Sequence, residues 1–512
     1  MHKKCTILEC VDSAKVLCLA ALAASALVAA DADPVEKWGR FEVSVVNTTP
    51  YADPYRDVSL DVTYRSPSGR RVQFWGFHDG SKLWKLRFMP DEVGRWNYQA
   101  RFDDGSGGAA GAFECVDSDL PGMLSVFHEN PVWFGFRGGG PVLIRSLHVG
   151  DRFFAENWPA AKRAAFLDWA VSQGYNMLSI ASHYLNRDSA GRGKGWDTPD
   201  LWPLRAAQYR KMEAILDELA RRRVMVFPFA GFFGKSSDFP RSPADQELYV
   251  RYTLARIGPY WNILLSVAGP EPLLRRDPCL GPDEVARLGK LIARLDPFGH
   301  PLSVHNRTGD NPFIEEGWQS YSVLQGPKTT DLDVLSAGLL RNHHPAKPLL
   351  AQETLWPGNR GFGHPAYTDD VIRKNMYVIL TSGTTLNFAD MDGSSSSGFS
   401  GSMDLPDRHQ RWHEIARQAW DLFETIPFHR MLPRQDLVDR GYCLAREGER
   451  YLVYLPGGGG VAVTRPTGRY MLEWINPRDP SDRRRSGIGD SDDRFHAPDG
   501  GDWLLRLRRL PL

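Results

Sequence analysis

The chain is predicted to be an α/β protein, a (β/α)8 TIM barrel flanked by two small antiparallel β-sandwich domains. Three observations carry the prediction. Between Val142 and Thr425 short apolar runs alternate with stretches of helical period, as in parallel βαβ units. On either side, from Phe41 to Phe102 and from Tyr442 to Leu507, apolar residues recur with period two between Gly/Pro turns. Two apolar runs of the middle region each deliver a carboxylate at their end, Glu271 and Glu353.

Composition sets the frame. A chain of 512 residues, 42% hydrophobic and 24% charged, is long enough for two or three domains. The 62 basic residues balance 62 acidic ones, so neither nucleic acid nor an anionic membrane is expected as a partner. Aromatics are plentiful (16 Trp, 17 Tyr, 25 Phe); their faces suit sugar rings as well as cores. Residues 1–30 read as a secretory signal peptide. Lys15 precedes the apolar run 16–30, which is too short to span a membrane and ends in the small-residue site Val28-Ala29-Ala30. Glu9 and Asp12 stand where a basic region would be usual. The mature chain is therefore expected to be exported, periplasmic or secreted, with no membrane association after cleavage. It keeps Cys115, Cys279 and Cys443, an odd and scattered set that suggests buried thiols rather than a disulfide framework or zinc knuckle.

Residues 35–120 are expected to form the first sandwich. Its strands are Phe41-Glu-Val-Ser-Val-Val, Val58-Ser-Leu-Asp-Val-Thr-Tyr, Arg71-Val-Gln-Phe-Trp, Leu83-Trp-Lys-Leu-Arg-Phe and Trp96-Asn-Tyr-Gln-Ala-Arg-Phe, with Gly105-Ser-Gly-Gly-Ala-Ala-Gly as a turn or loop. The sequence Gly76-Phe-His-Asp-Gly, followed by Leu83-Trp-Lys-Leu-Arg-Phe-Met-Pro and Gly94-Arg-Trp, resembles a small β-sandwich domain of unknown function. That domain precedes catalytic barrels in bacterial polysaccharide-degrading enzymes. Here it would be a lid or spacer.

Residues 121–428 are expected to form the barrel. Its strands are placed at Val142–His148, Asn176–Ser182, Val224–Ala230, Ile263–Gly269, Pro301–His305, Gln319–Gln325, Pro348–Glu353 and Gly383–Ala389. Helices are placed near 158–173, 204–223, 242–258, 282–295, 330–341, 369–380 and 407–425. Ser242-Pro243 is an N-cap followed by proline at the first helical position, Gly174 is a stop, and Arg221 to Arg223 suit a negative helix end. Eight strands alternating with seven helices fit the barrel. A doubly wound open sheet is the alternative, and it lacks its glycine-rich phosphate turn, so no nucleotide cofactor is implied.

Residues 432–512 read as a second sandwich, with strands at Tyr442–Arg446, Tyr451–Leu455, Val461–Thr464, Tyr470–Arg478 and Trp503–Leu507, and a polar, charged loop from Asp479 to Asp493. Tyr451-Leu-Val-Tyr-Leu-Pro with Glu473-Trp-Ile-Asn-Pro-Arg resembles a C-terminal domain family labelled collagen-binding. The label is a family name.

Barrels carry chemistry at the C-terminal strand ends. That rule nominates Glu271 and Glu353 as catalytic residues, and His148, His183, Tyr184, Phe232, His305, Asn306, Gln325, Trp356, Asn387 and Asp390 as substrate-binding residues. Glycoside hydrolysis needs one carboxyl to protonate the leaving oxygen and another to attack or to activate water. Strands four and seven can bring two glutamates to the roughly 5 Å separation of a retaining enzyme. Each Glu could equally form a rim ion pair with Arg275, Arg276 or Arg360. No metal is expected: His305 and the His343-His344 pair match no common ligand spacing, and no His-Glu-x-x-His marks a metallopeptidase.

The order sandwich, barrel, sandwich resembles the apiosidase-like barrel glycoside hydrolases, relatives of the retaining clan with its acid/base on strand four and nucleophile on strand seven. The resemblance implies a glycosidase acting on a polysaccharide or oligosaccharide, with Ala351-Gln352-Glu353 at the nucleophile position. At strand four such enzymes place Asn-Glu or Gly-Asp; here Gly269-Pro270-Glu271 delivers the carboxylate one residue later. A non-catalytic carbohydrate-binding protein on an inactive barrel is the competing function.

Overall fold

The computed structural model describes residues 33–149, 153, 159–180, 202–228, 231–233, 239–269, 280–306, 310–357, 365–389, 410–488 and 494–511. It is a mixed α/β structure built on a parallel sheet with antiparallel sheets at both ends of the chain. The parallel strands are β1 Arg145–His148, β2 Met177–Ile180, β3 Met225–Pro228, β4 Leu265–Ser266, β5 in two segments (Leu302–Ser303 and His305–Asn306), β6 Ser322–Leu324, β7 Leu349–Leu355 and β8 Thr385–Phe388. Helices alternate with them: α1 Ala160–Ser172, α2 Ala206–Arg221, α3 Pro243–Ile257, α4 Pro282–Leu295, α5 Leu332–Arg341, α6 Asp369–Thr381 and α7 Gln410–Glu424.

Seven strands hydrogen-bond in the order β3-β2-β1-β8-β7-β6-β5. β4 pairs in parallel with the first segment of β5, Leu265 opposite Leu302, and a parallel bridge joins Val226 of β3 to Ile263, just before β4. Every residue of these strands is buried. Burial on both faces is why β2, β3 and β7 open on apolar runs rather than on alternating apolar and polar residues.

Local signals in the sequence set the helix ends. Ser242 Oγ accepts the amide of Asp245 at 3.1 Å, with Pro243 at the first position of α3. Asp331 caps α5 through the amides of Asp333 and Val334, and Thr368 caps α6 through Val371. Gly174, at φ +88°, supplies the left-handed residue that ends α1. In α4 the apolar residues Val285, Leu288, Leu291, Ile292 and Leu295 all face inward.

The β5–β6 connection is the one place where the sequence assigns no helix between strands. Among the described residues no helix lies between β5 and β6; residues 311–319 are turns. Asn311 Nδ2 bonds Gln319 Oε1 and Ser322 Oγ, and Asn311, Pro312 and Gly317 are turn formers. Trp318 from this segment lies on α4 at Gly289, where an added Cβ would stand 2.3 Å from the indole.

At the N-terminal end, one sheet runs Val35–Glu36, Gly108–Val116, Gly94–Phe102, Leu60–Arg65, Arg71–Trp75, and faces another of Phe41–Val46, Leu83–Phe88 and Phe77–His78. Phe41 stacks on Phe113 at 3.9 Å and Tyr64 on Phe88 at 4.2 Å between them. The glycine-rich segment read as a loop is a strand from Gly108 onward. A Cβ at Gly108 would stand 2.1 Å from the Ala100 carbonyl, and one at Gly111 2.7 Å from the Tyr98 hydroxyl, so the small residues are what let it pair there.

At the C-terminal end a six-stranded sheet runs Leu432–Pro433, Tyr442–Arg446, Arg450–Leu455, Trp503–Arg509, Tyr470–Asn476, Asp479–Ile488. The last of these corrects the polar loop expected from Asp479. It is an edge strand paired with Tyr470–Asn476, and Arg485 reaches Glu473 at 2.6 Å. Exposed arginines on such an edge keep it from pairing further. Cys115 and Cys443 are buried thiols, and burial pushes them up to about 11 and about 12.

Buried polar contacts lock both ends onto the helices. Arg256 of α3, fully buried, bonds Glu213 of α2 at 3.0 Å and Asp79 of the N-terminal sheets at 2.9 Å. Arg87 adds Glu213 at 3.1 Å. At the other end Asp502 takes two bonds from Arg373 of α6 and one from the Tyr454 hydroxyl.

Candidate active site

The C-terminal ends of β1, β5, β6, β7 and β8 surround Glu353, which is 1% exposed. The register between β7 and β8 slips here: Ala351 pairs with Leu386, but Leu355 pairs with Phe388. Gln352, Glu353 and Thr354 therefore sit in an irregular stretch, a device that re-aims side chains beside active sites. A polar belt holds it. Ser146 Oγ donates to Asn387 Oδ1 at 2.8 Å, Asn387 Nδ2 donates to the Gln352 carbonyl at 3.0 Å, and Gln352 Nε2 donates to Ser179 Oγ at 2.5 Å. The belt ties β1, β8, β7 and β2 together directly beneath Glu353.

Around the carboxylate, Lys328 Nζ donates to Glu353 Oε2 at 3.0 Å. Lys328 follows β6 by way of Gln325, Gly326 and Pro327, and its side chain is 19% exposed. His305 Nε2, from the second segment of β5, lies 3.9 Å from Glu353 Oε1. Burial, with Lys328 and His148 nearby, pulls His305 down to about 3. At neutral pH it is an uncharged imidazole. His148 ends β1, and its ring centre is 4.5 Å from that of Trp356. Trp356, three residues past Glu353, is fully buried.

The structure thus gathers Glu353, His148, His305, Trp356 and Asn387 at one end of the parallel strands. Asn306 lies beside them, with its Nδ2 on the Val304 carbonyl and its own carbonyl accepting the amide of the half-buried Gln325. Phe232 is 1% exposed and packs against Phe233 and Tyr249. Its amide donates to the Ser266 carbonyl. The close approach needs glycine at 231, where a Cβ would stand 2.4 Å from that carbonyl oxygen. Glu271, His183, Tyr184 and Asp390 lie outside the described residues. No group of His, Cys, Asp or Glu among the described residues could hold a metal ion, and no described helix is long and apolar enough to cross a membrane.

A family model for a domain of unknown function, DUF5060, matches residues 34–103. No curated protein matches the chain. Among solved structures, a candidate glycoside hydrolase from Bacteroides vulgatus superposes with a TM-score of 0.75 at 17% identity, covering 94% of this chain and 100% of that one. The chain has a glycosidase-like fold. A protein described as a glycoside hydrolase gives a TM-score of 0.60 at 15% identity over 77% of this chain and 98% of its own. A glycoside hydrolase family 5 protein from Bacteroides vulgatus gives 0.58 at 15% identity, over 76% and 94%.

Within this glycosidase-like fold, sequence reasoning missed Lys328, Gln352, Ser146 and Ser179. The belt residues had a faint signal, as polar residues inside otherwise apolar strands. Lys328 had only its place just past a strand end.

The neutral His305 sets a pH dependence. Its folded value of about 3 lies below the unfolded value of about 6.5. Between the two, the unfolded chain binds a proton that the folded chain refuses. Its contribution to stability is therefore intact above about pH 6.5 and erodes by about 1.4 kcal/mol per unit as pH falls toward 3. Melting temperatures of wild type and His305→Asn, compared from pH 7 to 4.5, should converge as pH falls. Parallel curves would contradict the buried neutral imidazole.

Proposed function

We propose that the chain is a retaining glycoside hydrolase on a closed (β/α)8 barrel, exported, and acting on a polysaccharide or oligosaccharide. Glu353 is the nucleophile and Glu271 the acid/base. The observation that carries the reading is Glu353 itself: a buried carboxylate near the C-terminal end of β7, held by a lysine at 3.0 Å, among two histidines and a tryptophan. A nucleophile must be ionised at working pH, and an adjacent cation favours that state. The β4–β5 pair and the Val226–Ile263 bridge support closure of the sheet, since they join its two edge strands. Kinship with the apiosidase-like enzymes rests on the order of the three regions and on Ala351-Gln352-Glu353. The leader over residues 1–30 supports export.

Purified protein screened against aryl glycosides and plant and algal polysaccharides tests this. Release of sugar is the expected result; sugar binding without turnover would favour a carbohydrate-binding protein on an inactive barrel. Glu271→Ala should lose most turnover on glycosides with poor leaving groups. It should keep more on activated aryl glycosides, where azide should partly restore the rate. Equal loss on both, or none, removes Glu271 as the acid and brings Asp390 and Asp392 forward.

A further inference from the structure

We propose that Lys328 is a positioning residue that drives the second half of the reaction, acting on Glu353 as a leaving group rather than on the sugar. The inference rests on Glu353 being the nucleophile. Lys328 Nζ meets Glu353 Oε2 at 3.0 Å, and the carboxylate it meets is buried while the lysine stem reaches in from the loop after β6. Removing the charge from one member of such a pair leaves the other uncompensated in a weakly screened place.

The two chemical steps change that pair in opposite directions. In glycosylation a Glu353 oxygen bonds the anomeric carbon. The bond from that carbon to the leaving oxygen breaks, and the acid group's proton goes to the departing oxygen. Glu353 is then a neutral ester facing a charged Lys328. In deglycosylation a water oxygen bonds the anomeric carbon and its proton passes to the base. The ester bond breaks, its electron pair returning to Glu353 as carboxylate. This step re-forms the ion pair, so the field of Lys328 stabilises its transition state. The same field opposes loss of the Glu353 charge in the first step, while keeping the carboxylate ionised in the resting enzyme. Lys328 thereby shifts the balance between the steps.

The test is kinetic, on an activated aryl glycoside that the wild type cleaves, with Lys328→Met, Lys328→Arg and Glu353→Gln in parallel. For Lys328→Met, kcat should fall roughly 10- to 100-fold and KM should fall with it, because glycosyl-enzyme accumulates. Rapid mixing should show a larger burst of aryl alcohol than in wild type, and the acid limb of the kcat/KM profile should move to higher pH. Lys328→Arg should restore most of kcat. Equal losses in kcat and kcat/KM, with no added burst and an unmoved acid limb, would overturn the proposal in favour of a structural contact. Wild-type kinetics in Lys328→Met would overturn it as well. If Glu353→Gln retains turnover, the nucleophile assignment falls and the role of Lys328 falls with it. If Glu353→Gln is dead and Lys328→Met partitions like wild type, only the role of Lys328 is refuted.

Discussion

Glu353→Gln is expected to lower kcat by about 10⁴-fold or more on any glycoside the wild type cleaves, because an amide cannot form or release the glycosyl ester. The fold should survive. Glutamine keeps the shape of a side chain that is 1% exposed, and its carbonyl oxygen can still accept the bond from Lys328 Nζ. The Ser146–Asn387–Gln352–Ser179 belt that holds the β7 irregularity does not involve the Glu353 side chain. The melting temperature should therefore stay within a few degrees of wild type while turnover disappears. Turnover near the wild-type rate would remove the assignment. Loss of both turnover and folding would show that Glu353 serves the fold instead.

The largest effect on stability is expected far from the site, at Arg256. Its guanidinium is fully buried between Glu213 and Asp79, whose side chains are 6% and 4% exposed. Arg256→Met leaves two carboxylates without it in a place water barely reaches. Truncating one partner of a buried ion pair costs about 3–5 kcal/mol. Arg87 and Arg210 remain on Glu213 and Asp79 and soften the loss. The network joins the N-terminal sheets to α2 and α3, so Arg256→Met should loosen that junction first. A drop in the first unfolding transition, read by calorimetry, with partial recovery in Arg256→Met/Glu213→Leu, is the expected pattern. The double variant removes charge from both sides and lowers the desolvation cost. An unchanged first transition in Arg256→Met would contradict the role given to the network.

The sequence carried the parallel strands clearly because both their faces are buried, which leaves runs such as Ile263–Gly269, broken only by Ser266, and Pro348–Ala351 almost wholly apolar. It carried the helix start at Ser242-Pro243 because capping is a local matter between residues two or three apart. Glu353 was legible for the same kind of reason: it ends such a run. What was not legible depends on partners distant in the chain. Asp479–Ile488 looks like a solvated loop until Tyr470–Asn476 offers its backbone a ladder. Gly108–Val116 looks like a flexible turn until Ala100 and Tyr98 show why only small residues fit. The β5–β6 connection keeps its turns, and Trp318 covers α4 from within them. Lys328 reads as one more surface lysine, and only the fold brings it across to Glu353, 25 residues later in the chain.

Covalent trapping tests Glu353 as the nucleophile directly. The protein, incubated with 2-deoxy-2-fluoro aryl glycosides of the sugars found active in the screen, would be weighed intact and then digested for peptide mapping. A mass increase of one fluoroglycosyl unit is expected, carried by the peptide that contains Glu353 and absent in Glu353→Gln. Turnover of the parent glycoside with no adduct, or an adduct on any other carboxylate, would contradict it.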